Sequence, residues 1–138
     1  MKKRSAAKPP PEDPVFFIDR SLGKIDVPGA LRAAGYVCQL HDDHFEQQTE
    51  DSVWLSNVAA KRWIVLTKDE RIRYRPLELQ ALRSAKLRAF IVICGNVRGS
   101  ETAAILLRAM PKILRAIATH PGPFIHYVYK DSTLRLAE

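Results

Sequence analysis

Two apolar stretches of the chain each run into an aspartate: Val15-Phe16-Phe17-Ile18 into Asp19, and Ile64-Val65-Leu66-Thr67-Lys68 into Asp69. A third, Asp51, opens the helix-like segment that precedes the second stretch. In an open parallel sheet the ligand crevice lies beyond the carboxyl ends of the strands, so acids distant in sequence can converge there on one cation. Converging carboxylates repel and raise one another's pKa values, so such a trio is stable chiefly when a divalent ion neutralises it. Magnesium suits the pattern, because it takes oxygen ligands at about 2.0 to 2.1 Å, usually one or two carboxylates with waters and substrate phosphate. Each acid alone also has an ordinary reading: Asp51 favours the positive end of a helix, and Thr67 with Asp69 can form a turn.

The residues around these acids suggest what would be bound. Lys68, Arg71, Arg73 and Arg75, with Tyr74 among them, follow the second apolar stretch directly. Arginines grip phosphates bidentately, and a tyrosine can stack on an unpaired base. Any single member could instead be a solvated loop charge. The Thr67 hydroxyl could orient a ligand or a water, and Arg20 could contact substrate or balance the acids. His41 and His44 in HDDH invite a zinc reading, but no further His or Cys stands at ligand spacing and the stretch reads as a loop. Cys38 lacks an evident base partner, and the chain has no nucleophile-elbow string, which argues against covalent catalysis.

The elements that must position these residues alternate between short β-like runs and helix-like stretches, the pattern of βαβ units and a parallel sheet covered on both faces. Strands are expected over residues 15–18, 36–40, 63–66, 88–94 and 124–129. A short helix is expected over 27–34, with Pro28 in its first turn and Gly35 closing it. A second runs from about 51 to 62, capped by Thr49, with Trp54, Leu55, Val58 and Ala59 as its buried stripe. Pro76 is expected to open a third, carrying Leu79 and Leu82. After GNVRGS, Ser100 should cap a long helix through Ile105, Leu106 and Leu107 towards Ile117, kinked or divided at Pro111.

Composition fits that plan. A chain of 138 residues, 46% hydrophobic and 27% charged, has the length and balance of one soluble domain rather than a disordered or membrane-spanning chain. Residues 1–14 are basic and proline-rich without an apolar core, so they read as a flexible tail, neither signal peptide nor anchor, with residues 15–138 as the domain. Cys38 and Cys94 sit in apolar runs, as reduced core thiols of a cytoplasmic protein would. Of the net charge of +7, the tail supplies two units, so the basic surplus belongs to the fold and favours polyanionic partners, nucleic acid first.

The strings FIDRSLG, TEDSVWLSNVAAKRWIVLTKD and VICGN resemble the PIN-like nuclease domains, including VapC-type toxins, over roughly residues 15–129. That resemblance implies a three-layer α/β/α sandwich with a central, mainly parallel sheet of four to five strands. It matches Asp19 to the acid that ends the first strand, Asp51 to the acid that opens the helix before the third strand, and Asp69 to the acid of a T-x-D motif after it. These three are thereby expected to be catalytic and to hold magnesium or manganese. Larger members add another acid, often a glutamate, which has no match between Asp19 and Tyr36. Asp43 could substitute as a ligand, although a solvated loop acid is the plainer reading. Asn96 matches a G-N feature and could hold a water or phosphate, or cap the turn before Ser100.

The implied activity is metal-dependent hydrolysis of RNA phosphodiester bonds, with Arg20, Thr67, Lys68, Arg71, Arg73, Tyr74, Arg75 and Asn96 binding substrate. The implied biology is the toxin of a toxin–antitoxin pair: a cytoplasmic homodimer, blocked by a small antitoxin and independent of membranes. Two rivals stand beside it. A receiver-like signalling domain also places aspartates after strands, and Lys130 fits it, but it needs an acid pair where Asp19 is followed by Arg20. A catalytically silent RNA-binding module would share the whole sequence pattern.

Overall fold

Strands buried on both faces of a sheet are short continuous apolar runs rather than alternating ones, and this chain builds its sheet from such runs. In the computed structural model, which describes residues 14–74 and 86–137, the strands are β1 (Val15–Ile18), β2 (Val37–Leu40), β3 (Ile64–Thr67), β4 (Arg88–Ile93), β5 (Phe124–Tyr129) and β6 (Leu134–Leu136). β3 is buried at every residue and β1 at all but its first. The side chains of Arg73 and Tyr74, the whole of Arg75 and the helix expected from Pro76 with Leu79 and Leu82 lie outside the described residues, as does all but Pro14 of the expected tail.

The strand order is β2-β1-β3-β4-β5-β6. The first five strands run parallel, and β6 turns back antiparallel to β5. The chain leaves β1 on one side for β2, then crosses back to place β3 on the other, so β1 and β3 flank the topological switch point. Register sets the site here: Ile18 pairs with Leu66, which brings the residues that follow each strand side by side.

Alternation along the strands divides the core into two layers. Phe16, Ile18, Ile64, Leu66, Phe90 and Val92 pack on one face, with α1 (Asp26–Ala33) and α3 (Gly99–Thr119). Phe17, Val65, Ala89 and Ile91 point to the other, against Trp54, Leu55, Val58 and Ala59 of α2 (Asp51–Ala60). The result is the expected α/β/α sandwich, and the buried stripe of α2 is the one expected from the sequence. None of the described helices is long and apolar enough to cross a membrane.

Four local details differ from expectation. The sheet gains β6, whose short Leu-Arg-Leu run carries too little periodicity to announce itself. Glu50 rather than Thr49 occupies the N-cap of α2, and Arg98 rather than Ser100 that of α3; neither makes a side-chain cap bond. Pro111 neither divides nor ends α3, which runs through it for 21 residues. Pro111 and Leu107, whose carbonyl loses its helical partner at the proline, both lie on the exposed face, where solvent can satisfy the carbonyl. Gly35 does close α1: at φ +97° its N–H reaches Arg32 O while Tyr36 N–H reaches Leu31 O, a Schellman end.

Candidate active site at the carboxyl edge of the sheet

The chain after β1 bends into a short 3-10 turn, Arg20–Leu22, with Asp19 as its N-cap. Asp19 N–H still bonds Leu66 O at 3.0 Å, extending the β1–β3 ladder by one step. That step carries the carboxylate to the end of β3. Asp19 is only 9% exposed, and its Oδ2 accepts from Thr67 Oγ1 at 2.8 Å and from Ser21 Oγ at 2.7 Å. Its Oδ1 has no hydrogen-bond partner among the described residues, yet it is not among the polar atoms sealed from solvent. One oxygen anchors the group and the other stays available.

Thr67 and Ser21 tie the two strand ends together. Thr67, fully buried, accepts from Asp69 N–H at 3.0 Å and stands 3.1 Å from Ser21 Oγ. Ser21 Oγ in turn accepts from Lys68 N–H at 2.9 Å. The expected orienting role of Thr67 thus falls on Asp19 and on the backbone of Asp69.

Asp69 follows β3 and precedes a second 3-10 turn, Glu70–Tyr74. Its carboxylate accepts from Arg71: the backbone N–H and Nε at 3.0 Å on Oδ1, and Nη2 at 3.2 Å on Oδ2. Asp51 is the first residue of α2, whose N-terminus faces the same edge because the helix leads from β2 back to β3. Asp51 Oδ1 accepts from Trp54 Nε1 at 2.7 Å.

These three acids face one space. Asp19, Asp51 and Asp69 line one cleft of about 410 Å³, together with Arg20, Ser21 and Arg71. They do not form a finished ligand shell: among the described residues, no three acidic, His or Cys side chains stand close enough to enclose an ion.

Other expected residues fall around or away from the cleft. Arg20 Nη1 donates to Gln47 O at 3.1 Å, and its Nε lies 3.6 Å from Asp42 Oδ1. The 3-10 turn His41–Asp43 leaves Asp43 exposed and outside the cleft lining, and it is Asp42 that turns towards Arg20 and Lys24. Burial pushes the Asp42 carboxyl up, but the His41 ring and the charges of Lys24 and Arg20 outweigh it and hold the group below its ordinary value. Asn96 is exposed in the loop after β4, one strand further along the same edge, and does not line the cleft. The Lys68 side chain is not part of the lining either. His41 is buried among Phe17, Phe45 and Trp54, whereas His44 is exposed and bonds Gln39, so the two do not share a metal.

Sequence reasoning missed Ser21 and the second role of Trp54. The signal for Ser21 was the string Asp19-Arg20-Ser21, a hydroxyl two residues past a strand-end acid, where Ser commonly bonds locally.

Comparison with known families decides which group of proteins shares this edge. The family model described as PIN like domain matches residues 14–93, which carry β1 to β4 and all three acids. The chain belongs to the PIN-like domain family. A relative from Mycobacterium tuberculosis (strain ATCC 25618 / H37Rv), named Putative ribonuclease VapC45, is 32% identical over 125 residues, covering 88% of this chain and 90% of its own. No solved structure matches the chain. In this PIN-like domain the matched segment ends with β4, so α3, β5 and β6 complete the sheet and its α1 face from beyond it.

Proposed function

We propose that this PIN-like domain is a metal-dependent endoribonuclease that hydrolyses RNA phosphodiester bonds, and that it is the toxin of a toxin–antitoxin pair. The observation that carries the reading is the convergence of Asp19, Asp51 and Asp69, from three separate places in the chain, on one cleft with two guanidinium groups. The ribonuclease name of the mycobacterial relative supports the substrate class.

The donor set fits a hard divalent cation. All three side chains offer carboxylate oxygens, and Asp19 keeps Oδ1 available while Oδ2 is anchored. Mg2+ or Mn2+ usually takes one or two carboxylates and keeps several waters, so acids lining one cleft could serve it. Asp19, Asp51 and Asp69 would hold such an ion, which would supply activation of a water and charge stabilisation of the leaving oxygen.

The chain supplies position and charge. Ser21 and Thr67 hold Asp19 in one orientation, and Thr67 also fixes the start of the Asp69 turn. Arg20 and Arg71 grip the phosphate, with Lys68, Arg73, Tyr74, Arg75 and Asn96 as the outer track for the strand. Arg71 now spans both oxygens of Asp69 and must turn its exposed guanidinium away from that carboxylate to do so. A small antitoxin covering the cleft, a homodimeric state and a cytoplasmic location complete the proposal.

The receiver-like alternative shares the doubly wound strand order. It is disfavoured because Lys130 lies beside Glu101, at 4.0 Å, and does not line the cleft. The test is cleavage of structured and single-stranded RNA with Mg2+ by the native chain, Asp19→Asn and Asp69→Asn. The native chain should cut and both variants should not; no metal-dependent cutting by the native chain would leave a silent binding module in its place, and equal cutting by all three would show that the acids of this cleft do not carry the reaction.

A further inference from the structure

Trp54 belongs to the apolar stripe of α2 and is 1% exposed. A buried indole N–H needs a partner, and here it donates to Asp51 Oδ1 at 2.7 Å, about one helical turn earlier. The ring itself is clamped. Phe17 packs against it at 5.3 Å between centroids, and His41 meets it edge-on at 5.4 Å. A donor that cannot turn fixes the carboxylate it holds. We propose that Trp54 is a positioning residue for the cleft: its indole N–H sets the orientation of the Asp51 carboxylate and thereby the affinity of the site for a divalent cation. The proposal rests on the nuclease reading of the cleft. Removing an outer hydrogen-bond partner of a metal ligand typically costs about 10- to 100-fold in metal affinity or activity.

The chain has two tryptophans, so protein labelled with 15N-tryptophan gives two indole N–H resonances, which Trp54→Phe assigns. Trp63 precedes β3 at the opposite edge of the sheet and serves as an internal control. Mg2+ should shift the Trp54 resonance and leave that of Trp63 in place, and Mn2+ should broaden Trp54 first. By calorimetry Trp54→Phe should bind Mn2+ about tenfold more weakly. Its RNA cleavage should need about tenfold more Mg2+ for half-maximal rate, with KM for RNA unchanged at saturating Mg2+.

A Mg2+ titration that moves neither resonance, or both equally, overturns the proposal. So does wild-type Mn2+ affinity in Trp54→Phe, whose fold is checked by the Trp63 resonance and the thermal midpoint. Should that variant not fold, Trp63→Phe assigns the two resonances and Asp51→Asn decides with the indole in place: a Mg2+-induced Trp54 shift identical to the native one contradicts the proposal, and its loss supports it. A native chain with the Trp54 response and the weakened variant, but without RNA cleavage, upholds this proposal and removes the nuclease reading.

Discussion

The two edges of the sheet use charge in different ways. At the carboxyl edge, Asp19, Asp51 and Asp69 take hydrogen bonds from side chains: two hydroxyls, an indole and a guanidinium. At the amino edge, charged groups bond backbone carbonyls instead. Arg62 donates to Lys86 O at 3.3 Å and Pro121 O at 3.1 Å, and Arg88 donates to Arg62 O at 3.2 Å. Arg62 does so from a left-handed backbone, φ +61°, at the Schellman end of α2, a position that favours glycine. Burial, and then the neighbouring Arg62 charge, lower the Arg88 pKa. One edge ties loops down, and the other holds side-chain oxygens facing a cleft. Both edges are highly charged, and Arg20 bonds a backbone carbonyl at the carboxyl edge too, so what sets that edge apart is that three acids from separate elements line one cleft there.

The contrast can be broken most severely at the acids. Asp19→Asn should lower RNA cleavage by more than about a hundredfold, beyond the loss expected for outer partners, while the thermal midpoint stays near the native one. Thr67→Val comes next. It keeps the shape but strips a donor from Asp19 and leaves the Asp69 N–H without its acceptor, so unfolding in urea should show a loss of about 1 to 3 kcal/mol. Cleavage should fall about tenfold or more.

At the amino edge the expected pattern inverts. Arg62→Ala should cost about 1 to 2 kcal/mol of stability through its two lost carbonyl bonds and leave cleavage per folded molecule unchanged. Arg62→Gly should recover part of that loss, up to about 1 kcal/mol, because glycine accepts the left-handed backbone.

The smallest effect is a pH dependence from the same side of the molecule. Burial, and then the proximity of His120, hold the His126 pKa below its usual 6.5. The unfolded chain therefore takes up a proton before the folded one does, and stability should decline as pH falls below about 6.5. His126→Phe should flatten that decline, as measured by thermal midpoints across pH 5 to 8.

Much of the fold was legible because burial on both faces forces continuous apolar runs, and β1, β3, β4 and β5 are such runs. The acid trio was legible because each member sits at a strand end or helix start, where topology alone brings distant residues together. Other parts needed three dimensions. Ser21 reads as a turn residue until Lys68 and Thr67, more than forty positions away, supply its partners. Trp54 belongs to the core stripe of α2, but nothing in a hydrophobic stripe says where an indole N–H points. Asp42 and Asp43 are equivalent in the string HDDH, and only the 3-10 turn decides which of them meets Arg20. Pro111 depends on which face of α3 it occupies.

The most direct measurement is the rate of cleavage of one single-stranded RNA across a Mg2+ titration, run in parallel on the native chain, Asp19→Asn and Arg62→Ala. Metal-dependent cutting should appear in the native chain and in Arg62→Ala and vanish in Asp19→Asn. Cutting that needs no metal, or that survives in Asp19→Asn and is lost in Arg62→Ala, would contradict a metal site at the carboxyl edge.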